Sequence, residues 1–287
     1  MQLLTVPNWS FGRDNDLLRI FEDLLSSRDL KVHFCKGDVD HNRTVTAFSG
    51  EAEVVFERLE RLAEAAFERI DLQRHIGVHP RIGALDVCPF VRLDNEVYPL
   101  KAKIEAFGEG LSKKFDLPIF LYEKSERGKH SDALPQLRKA GFGGLMLMPE
   151  IDADFGPRKV HPRLGATIMG ERDFLIALNV NLKGVDQLPL AKEIAKMIRV
   201  KREAGDPLFA GVRALGLPLI SRDMAQISMN MTHPNITSPD EIINKILFIT
   251  RSSNATHVGN ELIGVIRKRD LAKSTWLKIE PNQIVPL

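Results

Sequence analysis

Apolar positions in this chain recur at two periods, and the alternation of those periods orders its elements. Leu17, Leu18, Ile20, Phe21, Leu24 and Leu25 fall at helical spacing after Asp14, a capping candidate, and predict an amphipathic helix. Over residues 51–70 the same period puts Val54, Val55, Leu59, Leu62, Ala65, Ala66 and Ile70 on one face, the longest such pattern in the chain. Short apolar or alternating runs predict strands at residues 2–6, 31–35, 43–49 and 85–91, with a loop from Pro7-Asn8, a turn at Gly37-Asp38 and a stop at Gly50. Strand, helix, strand, strand, helix, strand is the order of a ferredoxin-like sandwich, an antiparallel sheet with both helices on one face.

The second half repeats that order. Strands are expected at residues 174–182, 212–220, 224–231 and 257–263, and helices at 187–202 and 239–251. The fold class is therefore α+β, with two ferredoxin-like βαββαβ subdomains related by an internal repeat. Between the halves the pattern predicts a helix near Leu100–Phe115, a strand at 118–122 and a long irregular segment over 124–172, placed as a wall of a binding site. The tail from Trp276 is expected as a short edge strand followed by disorder.

Composition changes this picture little. The 287 residues carry 40 Lys plus Arg against 38 Asp plus Glu, a net charge of +2, which gives no case for a bulk polyanion such as nucleic acid. No RNP aromatic signature marks the sheets. The two cysteines have no metal spacing, the first residues lack the pattern of a signal peptide, and no apolar run reaches the roughly 20 residues of a membrane span. A cytoplasmic protein without metal is expected.

Candidate chemistry gathers in residues 74–86, RHIGVHPRIGALD, where Pro80 forces an extended loop that presents side chains. His79-Pro80-Arg81-Ile82-Gly83-Ala84 is echoed 82 positions later by His161-Pro162-Arg163-Leu164-Gly165-Ala166, which suggests a paired site. His79 is a candidate general acid and base, or a histidine that hydrogen-bonds its own loop. His75 and His79 are poor metal candidates, because that spacing needs a helix and Gly77 and Pro80 break one. Arg43, Arg81 and Arg163 are candidates for holding a carboxylate through the guanidinium fork, or for structural ion pairs. Asp154-Phe155-Gly156-Pro157 leads into Arg158, Lys159 and His161, suited to an anion or to a solvated loop. Asn8 is placed to orient a substrate amide or cap the following helix. Gly141-Phe142-Gly143-Gly144 lacks the Lys-Ser/Thr of a phosphate loop and reads as a turn, and no serine sits in a nucleophile elbow.

Seven stretches taken together resemble the formiminotransferase domain of glutamate formimidoyltransferases: VPNWSFGRD at 6–14, DHNRTVTAFSGE at 40–51, IDLQRHIGVHPRIGALDVCPF at 70–90, DFGP at 154–157, LGAT at 164–167, FLIALNVNL at 174–182 and AQISMN at 225–230. The resemblance implies two subdomains, 1–177 and 178–287, a homodimer, and a tetrahydrofolate groove between the subdomains. It implies a catalytic role for His79 and folate contacts in the loops 156–165 and 207–215, which include Gly156, Pro157, Gly165, Gly211 and Arg213. The implied reaction moves a formimino group from N-formimino-L-glutamate to N5 of tetrahydrofolate as co-substrate, with no metal or redox cofactor because the carbon's oxidation level does not change. Transfer of a formyl group from formylglutamate is the alternative donor chemistry. A folate-binding paralogue without turnover is the other alternative, motivated by HFCKGD at 33–38, where relatives are usually rich in acidic residues. No cyclodeaminase extension is seen, so the second activity of fused relatives is not expected.

Overall fold

Strand β1 (Gln2–Thr5) is followed by a two-residue strand β2 (Asn8–Trp9), so Asn8 and Trp9 lie in the sheet and not in the expected loop. Trp9 decides this: its indole is fully buried, donates to Thr46 Oγ1 at 3.1 Å and packs edge-on to Phe21, a gain that the short strand secures. Asp14 caps helix α1 (Asn15–Leu25) by accepting from Leu17 N. The computed structural model describes residues 1–94 and 99–287.

Strands β3 (Leu30–Asp38) and β4 (Arg43–Glu51) pair antiparallel. The turn between them falls at residues 39–42 and not at Gly37-Asp38, which stay paired in β3; Asn42, at φ 47°, supplies the left-handed residue that the turn needs. Helix α2 (Ala52–Arg69) then buries Ala52, Val55, Leu59, Leu62, Ala63, Ala66 and Phe67, leaving Val54 and Ala65 half-buried at the rim of the stripe. Strand β5 (Leu85–Arg92), helix α3 (Leu100–Phe115) and strand β6 (Ile119–Leu121) follow.

The segment expected to be irregular holds helices α4 (Leu134–Leu137) and α5 (Gly141–Leu147) and strand β7 (Thr167–Glu171). The glycines of α5 are not a turn. Phe142 N donates to Arg81 O at 3.0 Å and Leu145 is buried, so tertiary packing overrides the poor helix propensity of glycine. β7 escaped notice because its buried, parallel run has no alternation; it inserts between β5 and β6. In the first sheet β3 pairs β4, β4 pairs β1 and β2, these pair β5, and β7 and β6 extend the sheet beyond β5. Residues of α1, α2 and α3 share one apolar cluster with Leu3, Trp9, Phe48 and Phe90. A second cluster joins Ile82, Val87, Phe120, Leu145, Ile151 and Ile168.

The chain divides into two compact units, Met1–Arg172 and Asp173–Leu287, and the second opens with strand β8 (Ile176–Lys183). The second unit continues with α6 (Leu188–Glu203), β9 (Val212–Leu219), β10 (Met224–Met231), α7 (Pro239–Ser252) and β11 (His257–Ile263). Its sheet order is β11-β8-β10-β9, antiparallel throughout. The tail is ordered and not frayed: β12 (Ile266–Arg267) pairs parallel with β13 (Ile284–Val285), and buried Gln283 donates to Gly264 O at 2.9 Å. The architecture is mixed α+β. Among the described residues no helix is long and apolar enough to cross a membrane.

Candidate active site

The His79 loop is latched onto the β3–β4 turn by one bond between backbone groups and two from side chains to backbone carbonyls. Val78 N donates to Asp40 O at 3.2 Å, Asn42 Nδ2 to Ile76 O at 3.1 Å, and His75 Nε2 lies 2.7 Å from Asn42 O. A Cβ on Gly77 would stand 2.2 Å from His41 O, so only glycine lets the two segments approach this closely. Arg81 gathers the loop from inside, donating to His75 O at 2.7 Å and to Gly77 O and His79 O at 3.2 Å each. Its fork is thereby committed to backbone carbonyls. His79 Nδ1 lies 2.9 Å from Pro80 O, an acceptor only, so Nδ1 carries the proton and Nε2 keeps its lone pair. The His41 ring meets that of His79 edge-on, with centroids 5.7 Å apart.

Beside the loop lies a charged cluster built on two strands and the segment after α4. Asp86 of β5 is fully buried and accepts from Ile82 N at 2.8 Å through Oδ1. Its Oδ2 is contacted by both Arg43 of β4 and Arg138, which follows α4. Arg43 also donates to Asn8 Oδ1 at 3.3 Å and to Pro80 O at 3.2 Å, so Asn8 holds a guanidinium and caps no helix. Burial pulls the Arg43 guanidinium down to about 10, against the support of Asp86. The Arg81 guanidinium is lowered too, again chiefly by burial. Burial, then the charges of Arg43 and Arg138, hold His79 well below the ordinary 6.5, and burial followed by Arg81 brings His75 to about 4. The loop therefore presents an imidazole with a defined tautomer beside a cationic cluster, held neutral at physiological pH so that its free ring nitrogen is available as a proton acceptor.

Comparison with known proteins bears directly on this chain. The formiminotransferase domain, N-terminal subdomain, matches residues 2–172, and the formiminotransferase domain matches residues 177–285. The chain belongs to the formiminotransferase family. It is 32% identical over 265 residues to the glutamate formimidoyltransferase of Streptococcus pyogenes serotype M1, covering 91% of this chain and 87% of that one. It is 33% identical over 274 residues to the enzyme of the same name from Thermoplasma acidophilum, covering 93% and 88%. Against the formimidoyltransferase-cyclodeaminase of Gallus gallus it is 31% identical over 286 residues, 97% of this chain and 52% of that one, so it spans about half the length of that relative.

Within this formiminotransferase the two His-Pro-Arg turns meet through backbone and have different side-chain neighbours. Ala84 N donates to Leu164 O at 2.8 Å and Ala166 N to Ile82 O at 2.9 Å, around a bridge between Gly83 and Gly165. His161 Nδ1 accepts from Arg163 N at 3.1 Å and Leu164 N at 3.0 Å, which folds its own turn; burial, then Arg163, lowers its pKa. The Arg163 guanidinium donates to Phe67 O and Glu68 O at the end of α2, where it acts as a helix cap. Gly156 has φ +87°, and a Cβ there would meet Ser112 Oγ at 2.4 Å and Leu117 O at 2.7 Å. Pro157 is half-buried; Arg158 and Lys159 are exposed, Arg158 pairing with Glu150 at 2.7 Å. Gly211 and Arg213 lie in the second unit. Gly211 has φ +70° and its carbonyl accepts from Thr232 N at 2.9 Å, while Arg213 sits opposite Asn230 in the β9–β10 ladder. Sequence reasoning missed Asp86 and Arg138 as members of the site. Among the described residues no group of three His, Cys, Asp or Glu is placed to hold a metal ion.

Proposed function

We propose that this protein is a glutamate formimidoyltransferase that moves the formimino group of N-formimino-L-glutamate to N5 of tetrahydrofolate, with His79 as the base. The observation that carries the chemistry is the 2.9 Å contact of His79 Nδ1 with Pro80 O, an acceptor that calls for a proton on Nδ1 and leaves Nε2 as the basic atom. N5 attacks the amidine carbon and its proton passes to His79 Nε2. The tetrahedral intermediate collapses as His79 returns that proton to the glutamate nitrogen. The carbon–nitrogen bond to glutamate breaks while the bond to N5 remains, leaving 5-formiminotetrahydrofolate and glutamate. One base serves both ends of the transfer. The family membership and the name glutamate formimidoyltransferase carried by two of the matched relatives support this reading.

Folate contacts are assigned to Gly156, Pro157, Arg158, Lys159, His161 and Gly165 in one loop and to Gly211 and Arg213 in another. Exposed Arg158 and Lys159 suit the carboxylates of the folate tail. The subdomains are read as two ferredoxin-like folds, 1–177 and 178–287, related by an internal repeat. This is supported by the order β11-β8-β10-β9 and by its counterpart, β5, then β1 and β2, then β4 and β3. The same reading makes the protein a cytoplasmic homodimer.

Incubating the purified protein with formiminoglutamate and tetrahydrofolate tests the activity. Glutamate release that depends on tetrahydrofolate is the expected result. Folate binding without release would replace transfer by a binding role.

A further inference from the structure

We propose that Arg138 is the receptor for one carboxylate of the formimino donor. The inference rests on the activity proposed above and assigns that site a specificity residue outside the His-Pro-Arg motifs.

Asp86 Oδ2 is contacted by Arg43 and by Arg138, so two positive charges meet one negative charge on a single oxygen. Arg43 alone suffices to satisfy Asp86. It is the more deeply buried of the two, it is fixed by Asn8 Oδ1 and Pro80 O, and Asp86 Oδ1 is engaged by Ile82 N. The cluster is left with a net charge of +1 in a place largely withdrawn from water, which is costly unless an anion completes it. Arg138 also has a donor to offer: its Nε is buried and has no hydrogen-bond partner. A guanidinium with one edge on Asp86 and a second N–H unmatched is suited to a carboxylate, which accepts at both oxygens.

Position supports the same occupant. Arg138 is one of the charges acting on His79, and Phe142, four residues on, donates its N–H to Arg81 O, so α5 is tied to the loop that carries the base. Formiminoglutamate carries its carboxylates on the amino acid whose nitrogen must receive the proton from His79. A carboxylate held at Arg138 keeps that amino acid beside a charge that acts on His79. Arg81 and Arg163 are less suited to the task, because their forks already donate to backbone carbonyls.

Arg138→Gln keeps N–H groups for Asp86 and removes the charge, and Arg138→Lys keeps the charge and removes the fork. N-acetyl-L-glutamate, which cannot transfer a one-carbon group, serves as the binding probe by calorimetry on the full chain, with tetrahydrofolate as the control. The expected result is binding of N-acetylglutamate weakened roughly 10- to 100-fold in Arg138→Gln and partly recovered in Arg138→Lys, with tetrahydrofolate affinity unchanged. KM for formiminoglutamate should rise by a similar factor while kcat changes little. Unchanged probe affinity in Arg138→Gln overturns the assignment, as does no measurable probe binding to the unsubstituted protein. Equal weakening of probe and tetrahydrofolate, or a fall in kcat at unchanged KM, overturns it in favour of a role in positioning Asp86 and the His79 loop. Probe binding that depends on Arg138 in a protein that releases no glutamate leaves the carboxylate site standing and removes the activity.

Discussion

The proton on Nδ1 of His79 decides how that residue can act, and it is fixed by a neighbour in sequence, the carbonyl of Pro80. Replacing His79 by Ala should lower kcat by roughly 10² to 10⁴ and largely preserve folate binding. His161 accepts two backbone N–H groups of its own turn through Nδ1, so His161→Ala should act on affinity more than on turnover. If His161→Ala abolishes turnover while His79→Ala retains it, the base has been assigned to the wrong copy. Because burial and two arginines hold His79 well below 6.5, the neutral base persists as pH falls through that value. Its pH profile should therefore stay flat in kcat/KM from about pH 8 to below 6.5 and decline only in more acidic solution. A decline centred at the ordinary histidine value would mean that Arg43, Arg138 and partial desolvation do not lower this ring. His79 was legible because glycine and proline frame it. Asp86 was not, since one carboxylate in a short apolar strand has no periodic signature, and the partner that reveals Arg138 lies 52 residues earlier in the chain.

At the level of elements, the repeated Gly-Ala of the two turns is a demand of the backbone. A Cβ on Gly83 would stand 2.0 Å from Ala166 O, and one on Gly165 would stand 2.0 Å from Ile82 O, so the two segments can cross only where both lack side chains. Gly165 also has φ +74°. Gly165→Ala should cost about 1 to 3 kcal/mol or more of stability, read as a lower urea midpoint, and an unchanged midpoint would show that the crossing can relax. Arg163→Ala should cost about 1 kcal/mol by uncapping α2, and folate affinity should stay as it was. A folate affinity that falls while stability holds would return Arg163 to the binding site. The echo was visible in sequence, but its meaning was not, because exposed side chains and a backbone crossing leave the same letters. Long helices such as α2 and α3 were legible from period alone, since each buries one stripe. α5 and β7 were hidden because one is a helix rich in glycine and the other a buried parallel strand, and both are decided by what packs on them.

On the scale of the whole molecule, three histidines with lowered pKa values, His75, His79 and His161, lie in the first unit. Each is lowered chiefly by burial. The unfolded chain therefore binds these protons near the ordinary 6.5, whereas the folded unit resists them, in the case of His75 down to about 4. Their contribution to stability is full above 6.5 and is lost progressively as pH falls from there towards the folded values. The two tryptophans allow this to be read one unit at a time, because Trp9 is buried in the first unit and Trp276, 40% exposed, lies in the second. In a Trp276→Phe variant the fluorescence change on urea unfolding reports the first unit alone. Its midpoint should fall between about pH 7.5 and about pH 5, and adding His75→Gln should make the fall shallower, since that substitution removes one of the groups that takes up a proton on unfolding. A midpoint that holds or rises over that interval would mean that these half-buried rings admit protons without unfolding. The cationic neighbours of His79 would then have no hold on the charge of the site.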